Sequence, residues 1–184
     1  MYYKTAYKSP VGDITLVSEG SNLIGLWIKR QKYYGGNITE AMTKKDDLPV
    51  FNITKRWLDD YFEEKKPKLS RLRTLLAPIG NEFRKDVWDI LCEIPYGRVT
   101  TYGDIAKKIA AKMKKKSMSA QAVGGAVGHN PISIIIPCHR VIGSNGSLTG
   151  YAGGIDKKIK LLELEGMDTS CLAAQRFKKT STAN

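Results

Sequence analysis

Hydrophobic positions along the chain change period several times, and each change marks an element. Tyr3 to Tyr7, Asp13 to Ser18 and Leu23 to Ile28 are short β-branched and aromatic stretches, separated by the turn chemistry of Pro10-Val11-Gly12 and Glu19-Gly20-Ser21-Asn22. They predict a three-stranded antiparallel meander. Residues 31 to 50 are polar and lysine-rich, with Gly35-Gly36, and read as an exposed loop. Ile53, Trp57 and Tyr61 then recur at helical spacing beside Leu58 and Phe62. Glu63 to Pro78 is basic, holds two prolines and is the best linker candidate.

The second half is mostly helical. Asn81 is an N-cap for a helix whose apolar face is Phe83, Val87, Trp88 and Leu91, ending at Pro95. Thr101-x-x-Asp104 ahead of Ile105, Ala106 and Ile109 is a capping-box pattern, so a further helix is predicted to about Met113. The like-charge run Lys114-Lys115-Lys116 breaks it. Ser117 or Ser119 caps the next helix, which carries Ala120, Ala122, Val123, Ala126 and Val127 around Gly124-Gly125. Ile134 to Ile136 predicts a buried strand, stopped by Pro137, which cannot donate to a ladder. Asn145-Gly146 predicts a tight hairpin, and Gly150 to Gly154 a loop whose glycines allow backbone conformations other residues resist. Asp156 is read as the cap of a last helix through Ile159 and Leu162 to Gly166, with a loose polar tail from Ala173 to Asn184.

Composition narrows the function. In 184 residues there are 30 Lys and Arg against 18 Asp and Glu, a formal net charge of +12. That balance suits a polyanion such as nucleic acid; a merely soluble basic surface is the competing reading. No apolar run is long enough to span a bilayer, and Met1-Tyr2-Tyr3-Lys4 lacks a signal-peptide core, so residence in the cytoplasm, or the nucleus of a eukaryote, is expected. Cys92, Cys138 and Cys171 are odd in number and widely spaced, which does not suggest a disulfide framework. With two histidines and no Cys-x-x-Cys, no metal site is expected. Cys92, inside a helix, reads as core.

The chemistry gathers at Pro137-Cys138-His139-Arg140. A free thiol with a pKa of about 8.5 is only a few per cent thiolate at neutral pH, and a histidine and positive charge raise that fraction. Neighbours in an extended segment point to opposite faces, so Cys138 and His139 need a turn or a bridging water to communicate. A buried structural cysteine beside a satisfied histidine is the alternative.

Taken with Asn130-Pro131 before it and Gly150-Tyr151-Ala152-Gly153-Gly154 after it, this segment resembles the active-site segment of the O6-alkylguanine-DNA alkyltransferases, the methylated-DNA–protein-cysteine methyltransferases. The resemblance is specific from Phe83 to Gly166, through Ile94-Pro95-Tyr96-Gly97-Arg98-Val99-Thr100-Thr101-Tyr102-Gly103-Asp104-Ile105-Ala106, and weak before it. It implies an α/β protein: a small ribonuclease-H-like α/β domain at 1–78, and a mostly helical helix-turn-helix (winged-helix-like) domain with the active site at 79–170. Residues 171–184 would be a flexible tail.

The resemblance further implies single-turnover transfer of the alkyl group of O6-alkylguanine, and alternatively O4-alkylthymine, to Cys138, without a cofactor. His139 would be the water-mediated base, oriented by Glu165, with Asn130 bracing the junction between the DNA-binding helices and the active-site strand. Tyr102 would reach guanine N3. Tyr151 would wall the pocket with Gly153, the Ala152 N–H would meet O6, and backbone groups of Cys138 and Val141 would take the guanine amine. The second helix, with Ala120, Gln121 and Ala122, would enter the minor groove of double-stranded DNA and flip the nucleotide out. Lys107, Lys114, Lys115 and Lys116 would contact phosphates, or else form a solvated charge run. A monomer is expected.

Two departures stand out. Gln121 occupies the place of the family's usual arginine finger, and the stretch between Tyr102 and Gln121 is longer and lysine-rich. Two rivals remain: an alkyltransferase-like protein that recognises lesions without removing them, which Cys138 opposes, and a cysteine hydrolase that turns over repeatedly.

Overall fold

The computed structural model describes residues 1–170; the expected tail, and Cys171 with it, lies outside the described residues. Strands β1 (Tyr2–Ser9), β2 (Gly12–Ser18) and β3 (Leu23–Ile28) form the expected meander, with Tyr3 opposite Ser18 and Ile14 opposite Ile28. A fourth strand, β4 (Met42–Lys44), joins β1 in parallel, giving the order β3-β2-β1-β4. It falls within the stretch read as an exposed loop. Three residues of mixed polarity on a sheet edge carry no alternation from which to read a strand.

Helix α1 (Pro49–Phe62) begins with proline at its first position, where no N–H is needed. It buries Val50, Phe51, Thr54, Trp57, Leu58 and Tyr61. Ile53, assigned above to that face, is instead 42% exposed. The expected linker that follows is packed. It winds through two single turns of 3-10 helix, buries Leu72, and docks on β3 through Ala77 N–H to the Leu23 carbonyl.

The caps of the helical half fall where the sequence puts them. Asn81 accepts from Arg84 N–H at the start of α2 (Glu82–Cys92). Thr101 accepts from Asp104 N–H at the start of α3 (Tyr102–Lys112), and Ser119 from Ala122 N–H at the start of α4 (Ala120–Gly128). Two-residue strands β5 (Thr100–Thr101) and β6 (Val141–Ile142) pair in parallel, tying the start of α3 to the residue after Arg140. The last helix, α5 (Ile155–Leu164), is entered through Gly154 at φ 97°, not through Asp156. Asp156 sits in its first turn, where a carboxylate favours the helix dipole.

Two further expectations are corrected. Asn145-Gly146 does make a tight turn, with Gly143 N–H to the Ser147 carbonyl at 2.9 Å. No hairpin flanks it, because β6 has already paired with β5. Ile134 to Ile136 is a buried turn and not a strand: Ile136 N–H bonds the Ile132 carbonyl, and Ile134 has φ 70°. The cause is Asn130. Its Oδ1 accepts from Ile132 N–H at 3.0 Å and its Nδ2 donates to the Ile136 carbonyl at 2.8 Å. A side chain that satisfies the backbone locally competes with a sheet ladder. The surrounding apolar cluster is continuous, from Leu16, Leu26 and Leu58 to Val87, Val127 and Ile136. Among the described residues no helix is long and apolar enough to cross a membrane.

Candidate active site

The turn stitched by Asn130 runs straight into a single turn of 3-10 helix at Cys138–Arg140. That curl solves the facing problem of adjacent side chains. Asn130 also reaches the nucleophile itself: Nδ2 stands 3.1 Å from Cys138 Sγ. Cys138 is 5% exposed. Burial pushes its thiol above the usual value, while the Asn130 amide and the Lys158 ammonium pull the other way.

His139 is fully buried, and burial pushes its imidazole below the ordinary histidine value despite the Glu165 carboxylate. Its Nε2 lies 2.7 Å from Glu165 Oε1. A carboxylate this acidic only accepts, so Nε2 carries the proton and Nδ1 holds a lone pair. Nδ1 is buried with no partner among the described residues, as is the Tyr151 hydroxyl. Glu165 closes α5 and collects several donors. Oε1 accepts from Tyr61 Oη at 2.8 Å and Arg140 Nη2 at 2.9 Å, and Oε2 from Arg140 Nε at 2.8 Å and Gly97 N–H at 3.0 Å. Burial pushes this carboxyl up, but the bonds and charges of His139 and Arg140 outweigh it and hold the group at about 2.

Around the thiol, Tyr102 opens α3 and lies between α4 and the glycine loop. Its ring is within van der Waals reach of a Cβ at Gly124, and its hydroxyl would stand 2.6 Å from one at Gly150. That hydroxyl donates to the Thr149 carbonyl at 3.1 Å, and burial pushes it up to about 12. Tyr151 is buried edge-on to the His139 ring. Gly153 packs beside Tyr151 and Ile28, and the Ala152 carbonyl accepts from Lys32 N–H at 2.9 Å. The Cys138 carbonyl accepts from Val141 N–H, and the Val141 carbonyl from the Lys158 ammonium. A carbonyl oxygen carries two lone pairs.

The charged residues sort into two groups. Lys107, Lys108 and Lys112 are paired with Asp104, Glu93 and Asp86. Lys114, Lys115 and Lys116 are exposed and have no acidic partner among the described residues. They lead into the exposed face of α4 at Ala120, Gln121, Ala122 and Gly125, while Val123, Ala126 and Val127 face the core. Cys92 is half-buried against the Arg73 guanidinium, and burial pushes its thiol up to about 11, which leaves it inert near neutral pH.

Sequence reasoning missed three members of the site. Arg140 was visible only as a neighbour of His139. Lys158 is fully buried on α5, where its Nζ also donates to the Thr149 carbonyl at 2.9 Å, and burial lowers it to about 8. Its signal was a lysine on an otherwise apolar stripe. Tyr61 comes from α1, far away in the chain, and looked like core.

Residues 82–167 match the family model of the 6-O-methylguanine DNA methyltransferase DNA binding domain, and residues 1–76 that of its ribonuclease-like domain. A methylated-DNA–protein-cysteine methyltransferase of Haemophilus influenzae is 39% identical over 163 residues, 89% of this chain and 86% of its own. One from Methanosarcina barkeri is 44% identical over 166 residues, 90% of this chain and 97% of its own. The crystal structure of Mycobacterium tuberculosis OGT in complex with DNA superposes with a TM-score of 0.74 at 40% identity, covering 89% of this chain and 91% of that one. With both halves matched, and the thiol, imidazole and carboxylate brought together within residues 82–167, the chain belongs to the methylated-DNA–protein-cysteine methyltransferase family.

Proposed function

We propose that this protein repairs DNA by direct reversal, moving the alkyl group of O6-alkylguanine in double-stranded DNA onto its own Cys138. The observation that carries the mechanism is the pair of fixed contacts on either side of the thiol. Asn130 Nδ2 donates towards Sγ, and Glu165 locks the His139 proton on Nε2, leaving the buried Nδ1 lone pair as the base. His139 Nδ1 takes the thiol proton through a water. Sγ then forms a bond to the alkyl carbon as the carbon–O6 bond breaks, with its electrons leaving on O6. The departing guanine takes a proton from the Tyr102 hydroxyl, the phenolate regains one from solvent, and His139 releases to solvent the proton it took from the thiol, so the balance closes without a cofactor. A thiolate is a poor leaving group from an alkyl carbon, so the thioether persists and the protein acts once.

Access to the thiol follows from α3 and α4, which we read as a helix-turn-helix acting from a monomer. The small exposed residues of α4 let its backbone approach the minor groove, Gln121 fills the space of the flipped nucleotide, and Lys114 to Lys116 hold the phosphates. The extruded base enters between Tyr102 and Tyr151. Because Tyr102 is bonded to Thr149 across that entrance, the loop from Thr149 to Gly154 must yield as the base arrives.

The test is intact mass after incubation with a duplex containing O6-methylguanine. One methyl, a gain of about 14 Da, is expected on Cys138 alone and never on Cys138→Ser. Release of product in excess of protein would mark a hydrolase, and binding with no mass gain would mark a recognition-only relative.

A further inference from the structure

We infer that Tyr61, a residue of the N-terminal half, is a positioning residue for the alkyl transfer, holding the Glu165 carboxylate so that His139 presents Nδ1 to the thiol. This role rests on the proposed reaction and adds a member from outside the helical domain. Tyr61 Oη donates to Glu165 Oε1 at 2.8 Å, the same oxygen that takes His139 Nε2–H at 2.7 Å. The 3.4 Å between Tyr61 Oη and His139 Nε2 is the spacing of two donors converging on one acceptor. The Tyr61 ring is itself fixed, stacked on Trp57 at 5.5 Å and edge-on to Tyr96 at 6.0 Å. A buried tyrosine needs only one hydrogen bond, and any nearby carbonyl would serve it. Here the hydroxyl is spent on the carboxylate that sets the imidazole tautomer.

The bond acts on the relay in two ways. Glu165 cannot rotate without breaking it, so the imidazole plane is held. The hydroxyl also withdraws electron density from Oε1, which keeps the carboxylate from over-stabilising the imidazolium. The groups facing His139 are Glu165 and Lys158 from α5, Arg140 and Cys138 from its own turn, Tyr151 from the glycine loop and Tyr61 from α1. Only Tyr61 among them belongs to the N-terminal half.

The experiment compares wild type, Tyr61→Phe and Leu58→Val. Leu58 is buried on the same helix, and its aliphatic side chain can make no hydrogen bond to the relay, so its variant reports packing loss alone. Two readouts are taken: the pH dependence of single-turnover methyl transfer, and the titration of His139 by nitrogen-15 NMR without DNA. With only two histidines in the chain, His139→Gln assigns the signals. For Tyr61→Phe, the His139 midpoint and the acidic limb of the rate profile should rise by about one pH unit, with the rate plateau about tenfold lower. Leu58→Val should keep both midpoints. Superimposable titrations of wild type and Tyr61→Phe overturn the inference, and so does an equal shift in Leu58→Val. The NMR titration needs no substrate, so it decides the role of Tyr61 even where methyl transfer itself is not observed.

Discussion

A thiol in apolar surroundings is a poor nucleophile until something nearby favours its anion. Here two groups do so, the Asn130 amide 3.1 Å from Sγ and the buried Lys158 ammonium. Asn130 was legible in the sequence as a member of the site, but its work on the backbone was not, because that work exists only once the Ile132–Ile136 turn has closed. Asn130→Ala removes the hydrogen bond to sulfur and also orphans the Ile132 N–H, while the Ile136 carbonyl keeps the Cys138 N–H. A buried unpaired group costs about 1–3 kcal/mol, so the variant should lose stability by an amount in that range. Asn130→Asp restores an acceptor for Ile132 but sets an anion beside the thiol. Its rate of thiol alkylation by iodoacetamide should fall more than that of Asn130→Ala, which thiol-reactivity profiles against pH would show. Equal reactivity in the two variants would mean that the amide does not act on the sulfur. Lys158 was illegible for a different reason. A lysine on an amphipathic helix is normally solvated, and only the folded chain shows the Val141 and Thr149 carbonyls converging on it.

At the scale of elements, the caps were legible because they are local: Asn81, Thr101 and Ser119 each bond a backbone N–H within the next turn. The run Ile134 to Ile136 was not, since its composition fits a strand and only the Asn130 side chain makes it a turn. Helix α4 was legible on its outer side: its small exposed face was readable, and Gln121, where the resemblance expects an arginine finger, lies on it. Glutamine can hydrogen-bond an orphaned base but brings no charge and less stacking surface. Gln121→Arg should therefore tighten binding to lesion-bearing duplex and speed methyl transfer; unchanged or weaker affinity in a titration would contradict this. If the lysine triplet ahead of α4 holds phosphates as proposed, it adds sequence-independent affinity. Replacing Lys114, Lys115 and Lys116 with alanine should lower the slope of log affinity against log salt by about two to three, at about 0.9 for each phosphate no longer neutralised. A slope within experimental error of wild type would place those lysines in solvent rather than on the backbone.

For the whole molecule, the relay and the core tie the sheet half to the helical half, so the protonation of two buried groups controls the stability of both. His139 is held neutral by burial, and Glu165 is held ionised at about 2 by His139 and Arg140. Both have folded values below their unfolded ones, about 6.5 for histidine and 4.3 for glutamate. In each case the unfolded chain binds the proton more readily, so stability falls as pH falls. The two windows are separate. Stability should decline first below about pH 6.5, where the unfolded chain accepts a proton that buried His139 refuses, and then more steeply between about 4.3 and 2, where Glu165 gives up on the order of 3 kcal/mol. Urea unfolding from pH 3 to 8 resolves the upper window and the start of the lower one. His139→Gln should flatten the upper window and leave the lower in place, because Arg140 and Tyr61 still bind the carboxylate. Wild-type stability that stays constant from pH 8 to 5 would show that His139 accepts its proton without unfolding. The imidazole would then be more accessible to charge than a fully buried base in this position can be.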